Sequence, residues 1–217
     1  PFHPIYLPFV WRGWHDFGCG ALGDMGCYSF DVIYRALKLT PPIAAQGSSS
    51  EQFPDSFPKA SIVHLDFPAR DQLPPVKLTW YDGGLKPARP AEFESDALLP
   101  AEGLLFLGTQ GALLCDFTGG HMQLLPDAKA KSFVEPPKTL PRSPGNEREW
   151  LNAIKDRKLQ TGANFEVSAK VTESLLLGNL AVRTGERLHW DSASMKLTGS
   201  PAAQALVRPN YRPGWEV

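Results

Sequence analysis

The sequence predicts an α+β fold: an open, mainly antiparallel β-sheet with helices packed on one face. Three observations predict it. Apolar residues recur at helical spacing in three segments, 24–38, 146–156 and 166–183. In the middle of the chain they alternate with polar residues instead, over 60–67 and 76–81. The connections between those strands are too short for the crossover that a parallel pair needs. The 19 glycines and 21 prolines among 217 residues agree with short elements and many turns.

In order along the chain, residues 1–23 are an aromatic, glycine-rich lead-in containing Phe2, Tyr6, Phe9, Trp11, Trp14 and Phe17. A helix is predicted over 24–38. Asp24 is placed in its first turn, suiting the positive end of the helix dipole. Met25, Val32, Ile33, Ala36 and Leu37 form its apolar face, and Thr40-Pro41-Pro42 stops it. The sheet is predicted over 43–125. Val63, Leu65 and Phe67 share one face of one strand, and Val76, Leu78 and Trp80 one face of the next, which Asp82-Gly83-Gly84 ends. Leu104–Leu107 and Ala112–Phe117 read as a hairpin around Gly108-Thr109-Gln110-Gly111, and a short strand over 121–125 follows Gly119-Gly120.

Residues 126–146, with Pro126, Pro136, Pro137, Pro141 and Pro144, read as a loop inside one domain spanning 1–217, because the elements beyond it are too few for a core of their own. Helices are predicted over the 146–183 region. The first has Asn146 as N-cap and Trp150, Leu151 and Ile154 on one face. The second carries Val167, Val171, Leu175 and Val182, with Arg183 in its last turn and Gly185 just beyond as C-cap. The tail, 188–217, holds a short strand at Leu188–Trp190 followed by polar coil. No internal repeat is apparent.

Twenty-two basic against 23 acidic residues give a net charge of −1 with neutral histidines. That balance excludes a strongly basic footprint for nucleic acid or an anionic membrane surface. No apolar run approaches the roughly 18 residues of a spanning helix. The three cysteines, Cys19, Cys27 and Cys115, show no zinc-like spacing and read as reduced thiols. His64, His121 and His189 fall on predicted strands without metal-ligand spacing. No positively charged, apolar signal segment follows Pro1, which reads as an internal cut in a longer parent. The compartment is unassigned, cytoplasm and periplasm both being compatible.

Gly18-Cys19-Gly20-Ala21-Leu22-Gly23 matches the G-x-G-x-x-G pattern of dinucleotide-binding loops. The preceding Trp11-Arg12-Gly13-Trp14-His15-Asp16-Phe17 lacks the Val/Ile/Leu run of a buried parallel strand, and no βαβ alternation follows. The segment is therefore read as a tight loop that brings a helix start to a ligand or another domain.

Asp24, Tyr28, Asp31 and Arg35 follow at spacings of 4, 3 and 4 and share one helix face. One reading is a solvated polar stripe with an Asp31–Arg35 pair. The other is an acid/base pair in which Asp24, one turn from the Tyr28 phenol, helps position and polarise a substrate hydroxyl. A phenol, with a reference pKa of about 10, needs a neighbouring cation for that task. Arg12, His15 and Arg35 are the candidates nearest in sequence. Trp11, Trp14 and Phe17 could stack on a sugar's C–H face or pack against another domain. His15 reads as structural or as a support to such a site.

The run Trp11-Arg12-Gly13-Trp14-His15-Asp16-Phe17-Gly18-Cys19-Gly20-Ala21-Leu22-Gly23-Asp24-Met25-Gly26-Cys27-Tyr28 resembles the opening of the C-terminal domain of the Gfo/Idh/MocA oxidoreductases, which include glucose-fructose oxidoreductase and inositol dehydrogenase. The closest resemblance is to a large bacterial branch. Ser143-Pro144-Gly145-Asn146, Leu176-Leu177-Gly178-Asn179, Arg183-Thr184-Gly185 and the ending Tyr211-Arg212-Pro213-Gly214-Trp215-Glu216 extend it over essentially the whole chain.

The resemblance implies the substrate-binding and oligomerisation half of an NAD(P)-dependent sugar or polyol oxidoreductase. NAD or NADP would be bound mainly by an N-terminal Rossmann domain absent from this sequence, which would also supply a catalytic lysine; this chain alone is expected to bind none. Asp24 matches the family's Asp, and Tyr28 stands where a His is commoner, as in the Asp-x-x-x-Tyr of glucose-fructose oxidoreductase. The implied catalytic residues are Asp24 and Tyr28. Arg12, Trp14, His15 and Asp31 are the implied substrate-binding residues. The implied partners are a sugar or polyol and further copies of the chain, associating through the sheet face; no metal, nucleic acid or membrane is expected. Two alternatives stand beside this reading: part of an NAD-dependent glycoside-cleaving enzyme of the same superfamily, and a non-catalytic assembly module.

Overall fold

The structure, a computed structural model, describes residues 2–93, 98–208 and 211–215. Pro1 and the closing Glu216 of the resemblance lie outside them. Two 3-10 turns, Pro4–Tyr6 and Val10–Gly13, lead into helix α1, Gly20–Leu37. Strands β1 (Ala44–Ser49), β2 (Ser61–Phe67), β3 (Val76–Tyr81), β4 (Leu104–Gly108), β5 (Gly111–Cys115) and β6 (Gln123–Leu125) follow. Then come helices α2 (Asp127–Ser132), α3 (Asn146–Lys155) and α4 (Phe165–Thr184), strands β7 (Arg187–Asp191) and β8 (Lys196–Thr198), and helix α5 (Pro201–Ala205). The fold is α+β with open antiparallel sheets, as the sequence predicts.

The chain divides into two compact units, Pro1–Arg89 with Val171–Val217, and Pro90–Lys170. The first is built on a five-stranded sheet of order β3-β2-β1-β7-β8. Its register sets Ala45 against Leu65 and Leu188, Val63 against Trp80, and Leu65 against Leu78. Period-two alternation then places Ala45, Val63, Leu65, Phe67, Leu78, Leu188 and Trp190 on one face. That face is buried with Leu22, Phe30 and Tyr34 of α1 and Val171, Leu175 and Val182 of α4.

The helices approach through glycines. A methyl on Gly26 would lie 2.5 Å from Leu175 Cδ2, and one on Gly178 would lie 2.7 Å from Leu22 Cδ2. On β1, a Cβ at Gly47 would fall 2.5 Å from the backbone nitrogen of Val182, so α4 lies almost directly on the strand. The Tyr34 hydroxyl meets the fully buried Ser174 Oγ. Burial, more than any neighbouring group, pushes the phenol pKa up, so the hydroxyl stays protonated and can donate.

The second unit holds a three-stranded sheet, β4-β5-β6. Leu104, Ala112, Cys115 and Leu125 are its buried hydrophobic residues among those described. The hairpin is the predicted one, with Gly108 opposite Gly111. The Asp116 carboxylate closes the following turn, accepting from the Thr118 and Gly120 amides at 2.9 and 2.8 Å.

Several predicted details are corrected. The strands of 43–125 belong to two sheets, because the open edge of β1 pairs with β7 from the tail while β4 finds its partner locally. Helix α1 begins at Gly20, so Asp24 lies in the second turn and the first turn holds no acid. Its buried face carries Leu22, Gly26, Ser29, Phe30 and Tyr34. Ile33 and Leu37 pack against that core as predicted, whereas Met25 and Ala36 are exposed. The face is set by where α4's glycine admits Leu22, which helical periodicity cannot show.

Asn146 is the first residue of α3, and Gly145, at φ 103°, holds the cap position. Trp150, Leu151 and Ile154 are all exposed. The proline-rich loop contains α2, and the tail coil contains β8 and α5. In α5 the Ser200 hydroxyl accepts from the Ala203 amide and Pro201 occupies the first turn, a start signal the sequence does carry. Gly185 ends α4 as predicted, at φ 69°, with its amide donating to Ala181 O.

Candidate functional site

The candidate site begins with the loop that positions Arg12. The 3-10 turn carries Arg12, and the Phe17 and Gly18 amides both donate to Trp14 O, folding the chain back. A Cβ on Gly18 would lie 2.5 Å from Arg12 Cα, so this fold needs glycine there. Gly20, at φ 64°, then turns into α1 against the Phe57 ring. Asn179 of α4 donates to Cys19 O at 2.7 Å and fixes the helix start.

The result brings Arg12 Nε to 3.3 Å from Asp24 Oδ2, both side chains about one-third exposed. The Arg12 guanidinium also lies over the Phe9 ring, 4.3 Å from its centroid. One turn along α1, Tyr28 is exposed. Asp31 is held by Arg35, whose Nε reaches both carboxylate oxygens at 2.9 Å. The polar stripe therefore exists, with its two carboxylates each facing a different arginine.

The other predicted residues go elsewhere. Trp14 packs edge-on against Tyr6, ring centroids 5.1 Å apart, and forms a backbone bridge with Ser56. Trp11 and Phe17 line a shallow apolar hollow of about 490 Å³ with Phe2, Tyr6 and Leu7. His15 lines a separate cavity of about 250 Å³ with Ser56, Phe57 and Arg183, which includes none of Arg12, Asp24, Tyr28 or Asp31. Burial first, and the Arg183 charge second, lower the His15 pKa, so its ring is neutral near pH 7. Sequence spacing missed Ser56 and Arg183 because only the fold brings them to His15.

The glycine-rich loop is shaped by contacts within the chain: a Cβ on Gly18 would meet the Arg12 backbone, one on Gly20 the Phe57 ring, and one on Gly23 would lie 2.3 Å from Cys19 Cβ. The segment entering α1 is a 3-10 turn and a single bridge at Trp14, in place of the strand a dinucleotide-binding loop requires. Among the described residues no group of three or more His, Cys, Asp or Glu could hold a metal ion, and no helix is long and apolar enough to cross a membrane. No protein-family model matches the chain, and no curated protein matches it.

Proposed function

We propose that the chain is the substrate-binding and oligomerisation domain of an NAD(P)-dependent sugar or polyol oxidoreductase of the Gfo/Idh/MocA type. The observation that carries the reading is the pairing of Arg12 with Asp24, one helical turn from the exposed Tyr28. A dinucleotide, bound outside this chain, would supply the hydride exchange. Within the chain, Asp24 orients a substrate hydroxyl as acceptor and Arg12 fixes the carboxylate; the Tyr28 oxygen takes or returns the hydroxyl proton with the lysine of the N-terminal domain as the cation that favours its ionised form. Trp11, beside this surface in sequence and partly exposed, offers an aromatic face to a sugar ring.

The sheet face opposite the helices supports the oligomeric part of the proposal. It carries a hydrogen-bonded polar set, with Arg187 donating to Asp66 at 2.6 Å and His64 meeting Thr79 at 2.9 Å, as interfaces with a wet, polar composition do.

The test uses the full-length protein that contains this chain. NAD(P) reduction is measured across a panel of sugars and polyols, with product analysis for glycoside cleavage. Tyr28→Phe and Asp24→Asn should each lower kcat by about 10²- to 10⁴-fold. Unchanged turnover in both variants would remove the assigned roles. Cleavage without net reduced dinucleotide would favour the glycoside-cleaving alternative.

A further inference from the structure

The cavity at His15 is lined by His15, Gln52, Ser56 and Arg183 together with the apolar Phe53, Phe57 and Val182. Its lining contains an arginine and a histidine and no carboxylate. Arg183 reaches it from the last turn of α4 and has no ion-pair partner among the described residues. The His15 ring lies 4.5 Å, centroid to centroid, from the Phe57 ring, and a ring nitrogen can hydrogen-bond a ligand in the cavity. The Gln52 amide is committed to Val182 O at 2.6 Å, which ties the loop over 52–58 to α4 and gives the cavity a fixed wall.

We propose that this cavity binds the oxyanion, carboxylate or phosphate, of a small organic molecule, with Arg183 as the charged anchor, His15 and Ser56 as hydrogen-bonding partners, and the phenylalanine wall covering the organic part. The volume of about 250 Å³, roughly eight waters at ~30 Å³ each, suits a compound of a few carbons. A guanidinium presents a planar fork matched to either anion. The inference does not rest on the oxidoreductase reading, since binding by this chain alone tests it.

The charges felt by His15 are Arg183 from α4, Asp55 from the loop and Asp16 beside it in the chain. Burial and Arg183 lower its pKa, so the empty site holds a neutral ring. A bound anion offsets the Arg183 charge and favours the imidazolium. Affinity for a carboxylate, whose own charge is constant there, therefore rises as pH falls below the ordinary histidine value of about 6.5.

The experiment is an NMR titration of the 217-residue chain with inorganic phosphate, glycerol 3-phosphate and glycolate, chloride setting equal ionic strength. Saturable shifts of the His15 ring and the Ser56 amide are expected with at least one organic anion. Tighter binding of glycerol 3-phosphate would assign a phosphate ligand, and tighter binding of glycolate a carboxylate. Arg183→Gln, an exposed helix-end change that leaves the core untouched, should weaken binding about 10- to 100-fold. His15→Gln should flatten the pH dependence. Shifts that chloride reproduces, or affinity unchanged in Arg183→Gln, would overturn the proposal.

Discussion

The two units of the chain solve the problem of staying folded differently. In the first, a continuous core joins a five-stranded sheet to α1 and α4, with Phe30, Phe67, Leu65, Val63 and Leu188 essentially removed from water. A methyl on Gly47 would run into the Val182 backbone, and one on Gly26 or Gly178 into packed leucine side chains. The second buries little, and α3 buries no residue at all. Its order rests on turns held by side chains: Asp116 around Thr118, Gly120 and His121, Lys129 on Gln110 O, and Glu149 on the Gly162 amide. The first unit is therefore sensitive to volume, because a packed interior relaxes only partly around a cavity or an added atom. The second is sensitive to its polar turn groups.

The strongest way to break this comparison is Phe30→Ala. With Phe30 only 1% exposed, the change should cost about 3–5 kcal/mol in chemical denaturation. A loss under 1 kcal/mol would mean that α1 is not anchored as described. Gly47→Ala comes next. Its methyl meets the Val182 backbone, which cannot rotate away, so about 1–3 kcal/mol is expected, read as a lower denaturation midpoint. Tyr34→Phe keeps the ring but removes the hydroxyl that meets Ser174 Oγ, and should cost about 0.5–1.5 kcal/mol, measured the same way.

The second unit should answer to pH instead. The Asp116 carboxyl is held well below the usual carboxylate range, first by His121 and then by the Gly120 and Thr118 donors. Its contribution is present above the ordinary aspartate pKa of about 3.9 and is lost as pH falls further. Asp116→Ala should therefore raise amide exchange at Thr118 and Gly120 at pH 6, with no change at Leu65. The smallest effect belongs to Trp150→Ser, at 64% exposure, which should stay within about 0.5 kcal/mol of the parent. A larger loss would show that α3 is packed in solution.

Much of this fold was legible in the residues. The alternation of β2 and β3 fixed which side chains face the core, because a strand's period of two leaves only two choices. The Gly108–Gly111 hairpin and the Gly185 cap followed from backbone conformations that glycine adopts at little cost. Other features were hidden. The start of α1 at Gly20 was masked by glycines, which carry no helical signal, and its buried side was chosen by a partner 140 positions away, where Tyr34 meets Ser174. Of the candidate site, the Asp31–Arg35 pair and the shared face of Asp24 and Tyr28 could be read from helical spacing. The Arg12–Asp24 contact could not, because it depends on the loop closed at Gly18.

The sequence by itself determined the α+β class, the antiparallel strands and the polar stripe of α1, since each depends on local periodicity and short connections. Only the tertiary structure decided that the tail strand β7 completes the first sheet, that β4–β6 pair only among themselves, and that His15 shares a cavity with Arg183 rather than with Tyr28. Those outcomes turn on which open edge and which buried surface find each other across more than a hundred residues, and such pairings leave no periodic trace in the chain.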